Sequence, residues 1–178
     1  MSIKKITTSA ICIALATIFS MVKLYQFPFG GSVTLFSMLI IVLPAWIFDV
    51  PTGILCGLAY GILQFILGPY VVSVPQVFLD YVLAFSVMGV AGFFRNQKHS
   101  LLKGYIVAVV CRWIVATAAG MAWIKAGMQA WEGFAPLPYS MIYNGCYIFA
   151  EAIITIGVLM LPPVKKVLNT RIKHYFDV

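Results

Sequence analysis

The sequence predicts an all-α integral membrane protein, a single bundle of six transmembrane helices with both termini in the cytoplasm. Three observations predict it. Of 178 residues, 62% are hydrophobic and 10% charged, and the mean hydropathy is +1.00; a soluble domain is about half apolar and a quarter charged. Apolar segments on the scale of a hydrocarbon core of about 30 Å recur along the chain. The basic residues gather on alternate connections between those segments. Most of residues 1–178 lie in the spans, so the chain reads as one transmembrane domain with no soluble domain.

Lys4 and Lys5 precede an apolar run from Ile6 to Val22. No small-residue cleavage site follows, so the run reads as a retained first span, Lys5–Leu24. Span 2 is Val33–Phe48, span 3 Thr52–Leu67, span 4 Gln76–Phe94, span 5 Leu101–Lys125 and span 6 Pro138–Leu161. The breakers FPFGG, DVPTG, GPYVVSVP, RNQKHS, EGFAPLP and PPVKK separate or end them. Spans 2 and 3 are short, which suits a tilted or partly interfacial placement.

An even number of spans puts both termini on one side. That side receives Lys4, Lys5, Arg95, Lys98, Lys103, Lys165, Lys166, Arg171 and Lys173; the other receives Lys23 and Lys125. The positive-inside rule therefore places the termini in the cytoplasm of a cell-membrane protein. The net charge of +7 belongs to this asymmetry, and nucleic acid is not implied. The outer connections are rich in aromatic residues, Gly and Pro, and any ligand site is expected there.

The four cysteines, Cys12, Cys56, Cys111 and Cys146, form no CxxC pair and read as small core residues. Neither His99 nor His174 lies in a span, which argues against a metal site and against a Ser–His hydrolase. With no intramembrane histidine, paired carboxylates or metal-ligand cluster, the chain does not read as an enzyme.

Polar residues inside the spans are expensive and need a reason. Asp80 lies about four residues into span 4 from outside, roughly 6 Å deep. Asn144, Tyr70, Tyr81, Tyr139, Tyr143, Trp123 and Trp131 share that outer third. Three readings of Asp80 stand: a hydrated or helix-capping carboxylate, a carboxylate recognising a cationic or amine-bearing ligand, or an ion-coupling group. Interfacial anchoring is the plain explanation for other aromatics, Tyr105 and Trp46 among them. Arg112 and Glu151 fall at a common depth, roughly 15–17 Å from the inner edge. They are expected to form a structural ion pair between spans 5 and 6, with a proton or ion relay as the alternative. Ala10 and Ala14, four apart on span 1, offer a face for close helix approach, inside this chain or against a partner.

In size, span number and ordered segments the chain resembles the thiamine-specific substrate-binding (S) components of energy-coupling factor (ECF) vitamin transporters. The segments are GGSVTLFSMLIIVLPAW, GILCGLAYGILQFILGPY, PQVFLDYVLAFSVMGVAGFF, CRWIVATAAG and YSMIYNGCYIFAEA. The resemblance implies an outward-facing vitamin site and docking on a membrane coupling subunit with two ATPases. It implies no cofactor and no ATPase in this chain, which agrees with the absence of a GxxxxGK[ST] loop. Ala10 and Ala14 match the family's coupling-subunit surface. Asp80 stands where the family has a glutamate for the aminopyrimidine, followed by Tyr81. Tyr70, Tyr139 and Asn144 match site residues, with Trp123 and Tyr143 beside them. Ala116 replaces a site histidine, Ile124 stands at the usual tryptophan position, and Tyr25, Phe27 and Phe29 stand in for a first-loop tryptophan. These departures admit a thiamine precursor such as hydroxymethylpyrimidine, or another aromatic amine or cation. The alternative function is a self-sufficient secondary transporter or exporter coupled through Asp80 or Glu151.

Overall fold

The computed structural model describes residues 2–127 and 133–168. Trp131, Arg171, Lys173 and His174 lie outside the described residues. The architecture is mostly helical: five helices are long and apolar enough to cross a membrane, and a sixth is shorter. In order they are α1 (Ile3–Met21), strands β1 (Lys23–Gln26) and β2 (Ser32–Thr34), α2 (Ser37–Ile47), α3 (Val50–Leu67), α4 (Val74–Phe94), α5 (Ser100–Lys125), α6 (Pro136–Met160) and α7 (Pro162–Lys166).

Local chemistry sets the boundaries. The Ser2 hydroxyl caps α1 by accepting from the Lys5 amide at 3.3 Å. Asp49 caps α3, accepting from the Thr52 amide at 2.9 Å and hydroxyl at 2.6 Å, with Pro51 in the first turn where no amide is needed. Ser73 caps α4, and Pro136 begins α6. Asp49 also pairs with Lys5, tying α1 to the α2–α3 connection. Partial burial pushes the Asp49 carboxyl up. Hydrogen bonds from Lys5 and Thr52, with the Lys5 charge, outweigh it and hold the group down at about 2.

Two expectations about the first third are corrected. Span 1 was expected to reach Leu24, but α1 ends at Met21, and Lys23 and Leu24 open an antiparallel hairpin that pairs Lys23 with Thr34 and Gln26 with Ser32. Its turn passes through Pro28–Gly30, with Phe29 at φ 65° and Gly30 at φ 96°. Val33 and Thr34, read as the start of span 2, belong to β2. What remains is the 11-residue α2, roughly 16 Å long and so short of a full crossing. It is buried among its neighbours instead: Met38, Ile41, Val42, Ala45 and Trp46 are all 2% exposed or less. Trp46 is thus a core residue rather than an interfacial anchor, its indole donating to Ser100 Oγ at 2.8 Å. Tyr105, 0% exposed, is likewise core. Of the cysteines, Cys12 and Cys56 are buried, whereas Cys146 is exposed.

α3 and α4 touch backbone to backbone along Gly53, Gly57 and Gly61. A Cβ at Gly57 would lie 2.2 Å from the Phe85 carbonyl oxygen, and one at Gly61 only 1.8 Å from that of Tyr81. Small residues at every fourth position permit such an approach. α4 is irregular where it meets this stripe. It is π-helical over Phe78–Leu83 and 3₁₀ over Val87–Phe94. π turns recur at functional sites because the widened turn re-aims side chains; this one carries Asp80 and Tyr81.

α1 packs through a narrow stripe, Ser9, Cys12 and Ala16. Ala10 and Ala14 are exposed on its other side, so the small-residue face is not covered by any of the described residues.

Candidate functional site

A cavity of about 500 Å³ opens among the helices at the hairpin end, within the usual range for small-molecule sites. Its wall includes all seven ligand-contact candidates: Asp80, Tyr81, Tyr70, Tyr139, Asn144, Trp123 and Tyr143. They come from α4, the α3–α4 connection, α5 and α6. Ala116 lines it as well. Trp123 rather than Ile124 faces it, which answers the one-place offset in the sequence.

The carboxylate of Asp80 is aimed by Gln76, one turn earlier on α4. Gln76 Oε1 accepts from the Val72 amide at 3.2 Å, while Nε2 donates to the Tyr70 carbonyl at 3.2 Å and to Asp80 Oδ2 at 2.6 Å. Gln76 is 2% exposed, so this orientation is fixed by burial and three bonds. Asp80 is half-buried, and its Oδ1 accepts no hydrogen bond from the described residues. The Tyr70 amide donates to Tyr81 Oη at 2.9 Å, clasping the α3–α4 connection to the π turn.

Tyr139, Tyr143 and Tyr147 recur every four residues on α6 and form an aromatic wall. Tyr139 and Tyr143 stack at 6.0 Å, and Tyr147 meets Tyr143 edge-on at 5.9 Å. Asn144 is fixed from both ends, its Nδ2 donating to the Ser140 carbonyl at 2.9 Å and its Oδ1 accepting from Tyr147 Oη at 2.6 Å. Gly120 makes room for this network, since a Cβ there would lie 2.1 Å from Ser140 Oγ.

The hairpin closes over the mouth. Tyr143 Oη accepts from the Gly31 amide at 3.0 Å and donates to the Pro28 carbonyl. Phe29 packs on Trp123 at 5.2 Å, and Trp123 Nε1 donates to Tyr70 Oη at 3.3 Å. Of the three aromatics expected to stand in for a first-loop tryptophan, Phe29 lines the cavity. Phe27 packs behind on Tyr143 and Tyr147 at 6.3 and 6.4 Å, and Tyr25 is 61% exposed.

The expected ion pair between Arg112 and Glu151 does not form. Glu151 is 3% exposed but already saturated. Oε2 accepts from the Thr34 hydroxyl at 2.5 Å and amide at 3.4 Å; Oε1 accepts from the Ser37 hydroxyl at 3.2 Å and the Met38 amide at 3.0 Å. The first residues of α2 have no cap of their own, because Phe36 sits at φ 59° with no side-chain bond. Glu151 supplies that cap from α6, a carboxylate at a helix N-terminus where orphan amides and the dipole favour it. Arg112 instead lies over the Phe85 ring, 4.5 Å from its centroid. Both residues line the cavity floor.

Sequence reasoning missed Gln76, Tyr147 and the Thr34–Ser37 contribution. The first two were signalled by i±4 spacing from Asp80 and Tyr143; the third carried no local signal.

An aromatic-walled cavity with carboxylates, amides and a guanidinium, set among membrane-length helices, has the make-up of a small-molecule site in a multi-pass membrane protein. Comparison with known proteins makes this specific. The model of the thiamine transporter protein family matches residues 6–170. The thiamine transporter ThiT of Bacillus subtilis is 32% identical over 166 residues, covering 85% of this chain and 86% of that protein. The solved structure of ThiT from Listeria monocytogenes superposes with a TM-score of 0.68 at 24% identity, over 87% of this chain and 92% of that one. The chain belongs to the thiamine transporter protein family, a family of transporters and not of enzymes.

Proposed function

We propose that this chain is the substrate-binding S component of an ECF-type importer, a six-pass bundle in which the short α2 and the strand β2 leading into it together make one pass, with both termini in the cytoplasm. It binds thiamine or a close relative at its outward face and delivers it to an ATP-driven module. The observation that carries this reading is the single cavity that gathers Asp80, Tyr70, Tyr81, Trp123, Tyr139, Tyr143 and Asn144. Asp80, with an open carboxylate oxygen, receives an amine donor. The aromatic wall receives a flat cation by stacking. Asn144, locked by its neighbours, presents a preorganised polar edge.

The exposed Ala10–Ala14 face of α1 is the docking surface for a membrane coupling subunit, which in turn carries two ATPases. Small exposed side chains there let a partner helix approach closely. A secondary transporter coupled through Glu151 is disfavoured, because four donors hold that carboxylate and leave it no free lone pair for a travelling proton.

The test is a titration of the purified chain in detergent, without ATPases, followed by tryptophan fluorescence. Thiamine is expected to quench, since Trp123 stands in the wall. Asp80→Asn is expected to weaken binding roughly ten-fold or more, the worth of a hydrogen bond to a charged group. Tyr139→Ala and Asn144→Ala are expected to weaken it as well. Wild-type affinity in all three variants would move the site elsewhere. Binding of hydroxymethylpyrimidine in preference to thiamine would reassign the ligand while keeping the site.

A further inference from the structure

Arg112 is a charged group that no hydrogen bond or ion pair among the described residues uses. It was expected to neutralise Glu151, but Glu151 is satisfied by Thr34, Ser37 and Met38. Among the described residues no carboxylate pairs with Arg112 and no acceptor takes any of its N–H groups. Its contact is the Phe85 ring at 4.5 Å. A cation over an aromatic ring is attracted by the ring's quadrupole, and that contact supplies no oxygen or nitrogen acceptor to the five guanidinium N–H groups. The protein therefore anchors Arg112 on the cavity wall and leaves its hydrogen-bonding edge unspent.

Position gives that edge a purpose. Trp123, at the lid, is eleven residues further along α5, so Arg112 lies roughly 16 Å below it. Ala116, one turn above Arg112 on the same face, is a buried methyl group in the cavity wall and puts no bulky side chain between the two. A ligand that stacks on the tyrosines of α6 thus reaches Arg112 with its inner end.

We infer that Arg112 is a ligand-binding residue: its guanidinium donates to a hydrogen-bond acceptor, a ring nitrogen or a hydroxyl oxygen, at the inner end of the bound solute. This rests on the thiamine reading above and adds a contact to it. Asp80 selects for a donor, Arg112 for an acceptor, and a ligand with both at suitable separation satisfies the site. A solute lacking the acceptor leaves unmet the one or two N–H groups it would have engaged, which is how polar groups in a binding site discriminate.

The experiment is a binding cycle on the full chain in detergent. The proteins are wild type, Arg112→Gln and Arg112→Lys. The probes are thiamine, two pyridine analogues each lacking one pyrimidine ring nitrogen, and an analogue lacking the terminal hydroxyl. Wild type is expected to bind one of the three analogues roughly ten-fold or more weakly. Arg112→Gln is expected to bind thiamine weaker by a similar factor and to lose its discrimination against that same analogue. Arg112→Lys keeps the charge but not the planar fork; it serves as the test if the glutamine variant does not fold, with discrimination reduced. Losses that multiply independently for all three analogues overturn the contact, as does wild-type affinity in Arg112→Gln. Thiamine binding by wild type with such additivity sinks this inference alone. No thiamine binding by wild type sinks the functional reading beneath it.

Discussion

Replacing Glu151 with glutamine removes one negative charge from a point where four donors converge, and changes almost nothing in volume. The carboxylate accepts from two amides, Thr34 and Met38, and two hydroxyls, Thr34 and Ser37. In the best orientation the new amide keeps its oxygen on the Met38 amide and turns its NH₂ toward Thr34. The Thr34 hydroxyl can rotate to accept. The Thr34 amide cannot, and its long bond is lost. Every remaining bond also loses its charge assistance. A helix cap is worth about 1 kcal/mol, and hydrogen bonds to a charged group about 1.5–3 kcal/mol, so a net loss of about 2 kcal/mol is expected. For a chain of this length that is a fall of about 4–8 °C in Tm, read by thermal unfolding in detergent. Double-mutant cycles carry the sharper test. Glu151→Gln and Thr34→Val share one hydrogen bond and are expected to couple by more than about 0.5 kcal/mol. Glu151→Gln and Arg112→Gln are expected to add within that margin. Strong coupling between Glu151 and Arg112, with none to Thr34, would mean that the carboxylate answers the guanidinium and that the capping account is wrong.

Two further substitutions probe how α4 is placed and how the α2–α3 end is held. Gly61→Ala puts a methyl group 1.8 Å from the Tyr81 carbonyl oxygen. The π turn must shift, with an expected loss of about 1–3 kcal/mol and weaker thiamine binding. Gly157→Ala on α6, with nothing within 4 Å, is the control, and equal effects on binding would refute the backbone-contact argument. At the other end Asp49, held at about 2, lies below its unfolded value of about 3.9. Its contribution is present above about pH 4 and lost as pH falls toward 2. The Tm gap between wild type and Asp49→Asn is therefore expected to shrink over that window, and a constant gap would remove Asp49 from the acid response.

What was legible in the sequence was what helical geometry controls. Depth along a span is set by 1.5 Å per residue, so Asp80, Tyr139, Asn144 and Trp123 were expected together and are found around one cavity. What was not legible depended on contacts between distant segments. Val33–Phe48 is apolar apart from Thr34 and Ser37, and nothing in such a run marks where a buried strand passes into a buried helix. The hairpin was therefore merged into a span, and α2 was made too long. Trp46 and Tyr105 were assigned to the interface by a rule about lone helices, but both face the neighbours that a bundle supplies. The glycine row of α3 stood in plain view at every fourth position, yet its meaning lies in the α4 carbonyls it faces.

Arg112 and Glu151 show the limit most clearly. Equal depth and opposite charge are sufficient grounds to expect a pair, because an isolated charge inside a membrane is costly. But a carboxylate has another way to be satisfied: a helix N-terminus lacking its own cap. Phe36, in left-handed geometry, leaves α2 without one, and Glu151 answers it from more than a hundred residues away. Once that demand is met, the partner charge is released. A guanidinium has no comparable backbone site at a helix start, so Arg112 is left to the Phe85 ring and the cavity. The same strand that escaped detection in the sequence, by carrying Thr34 to Glu151, is therefore what frees Arg112 for the ligand. If Thr34→Val shifts Glu151 toward Arg112, thiamine affinity should fall although Thr34 lies outside the predicted ligand contacts. Unchanged affinity in that variant would separate the cap from the binding site.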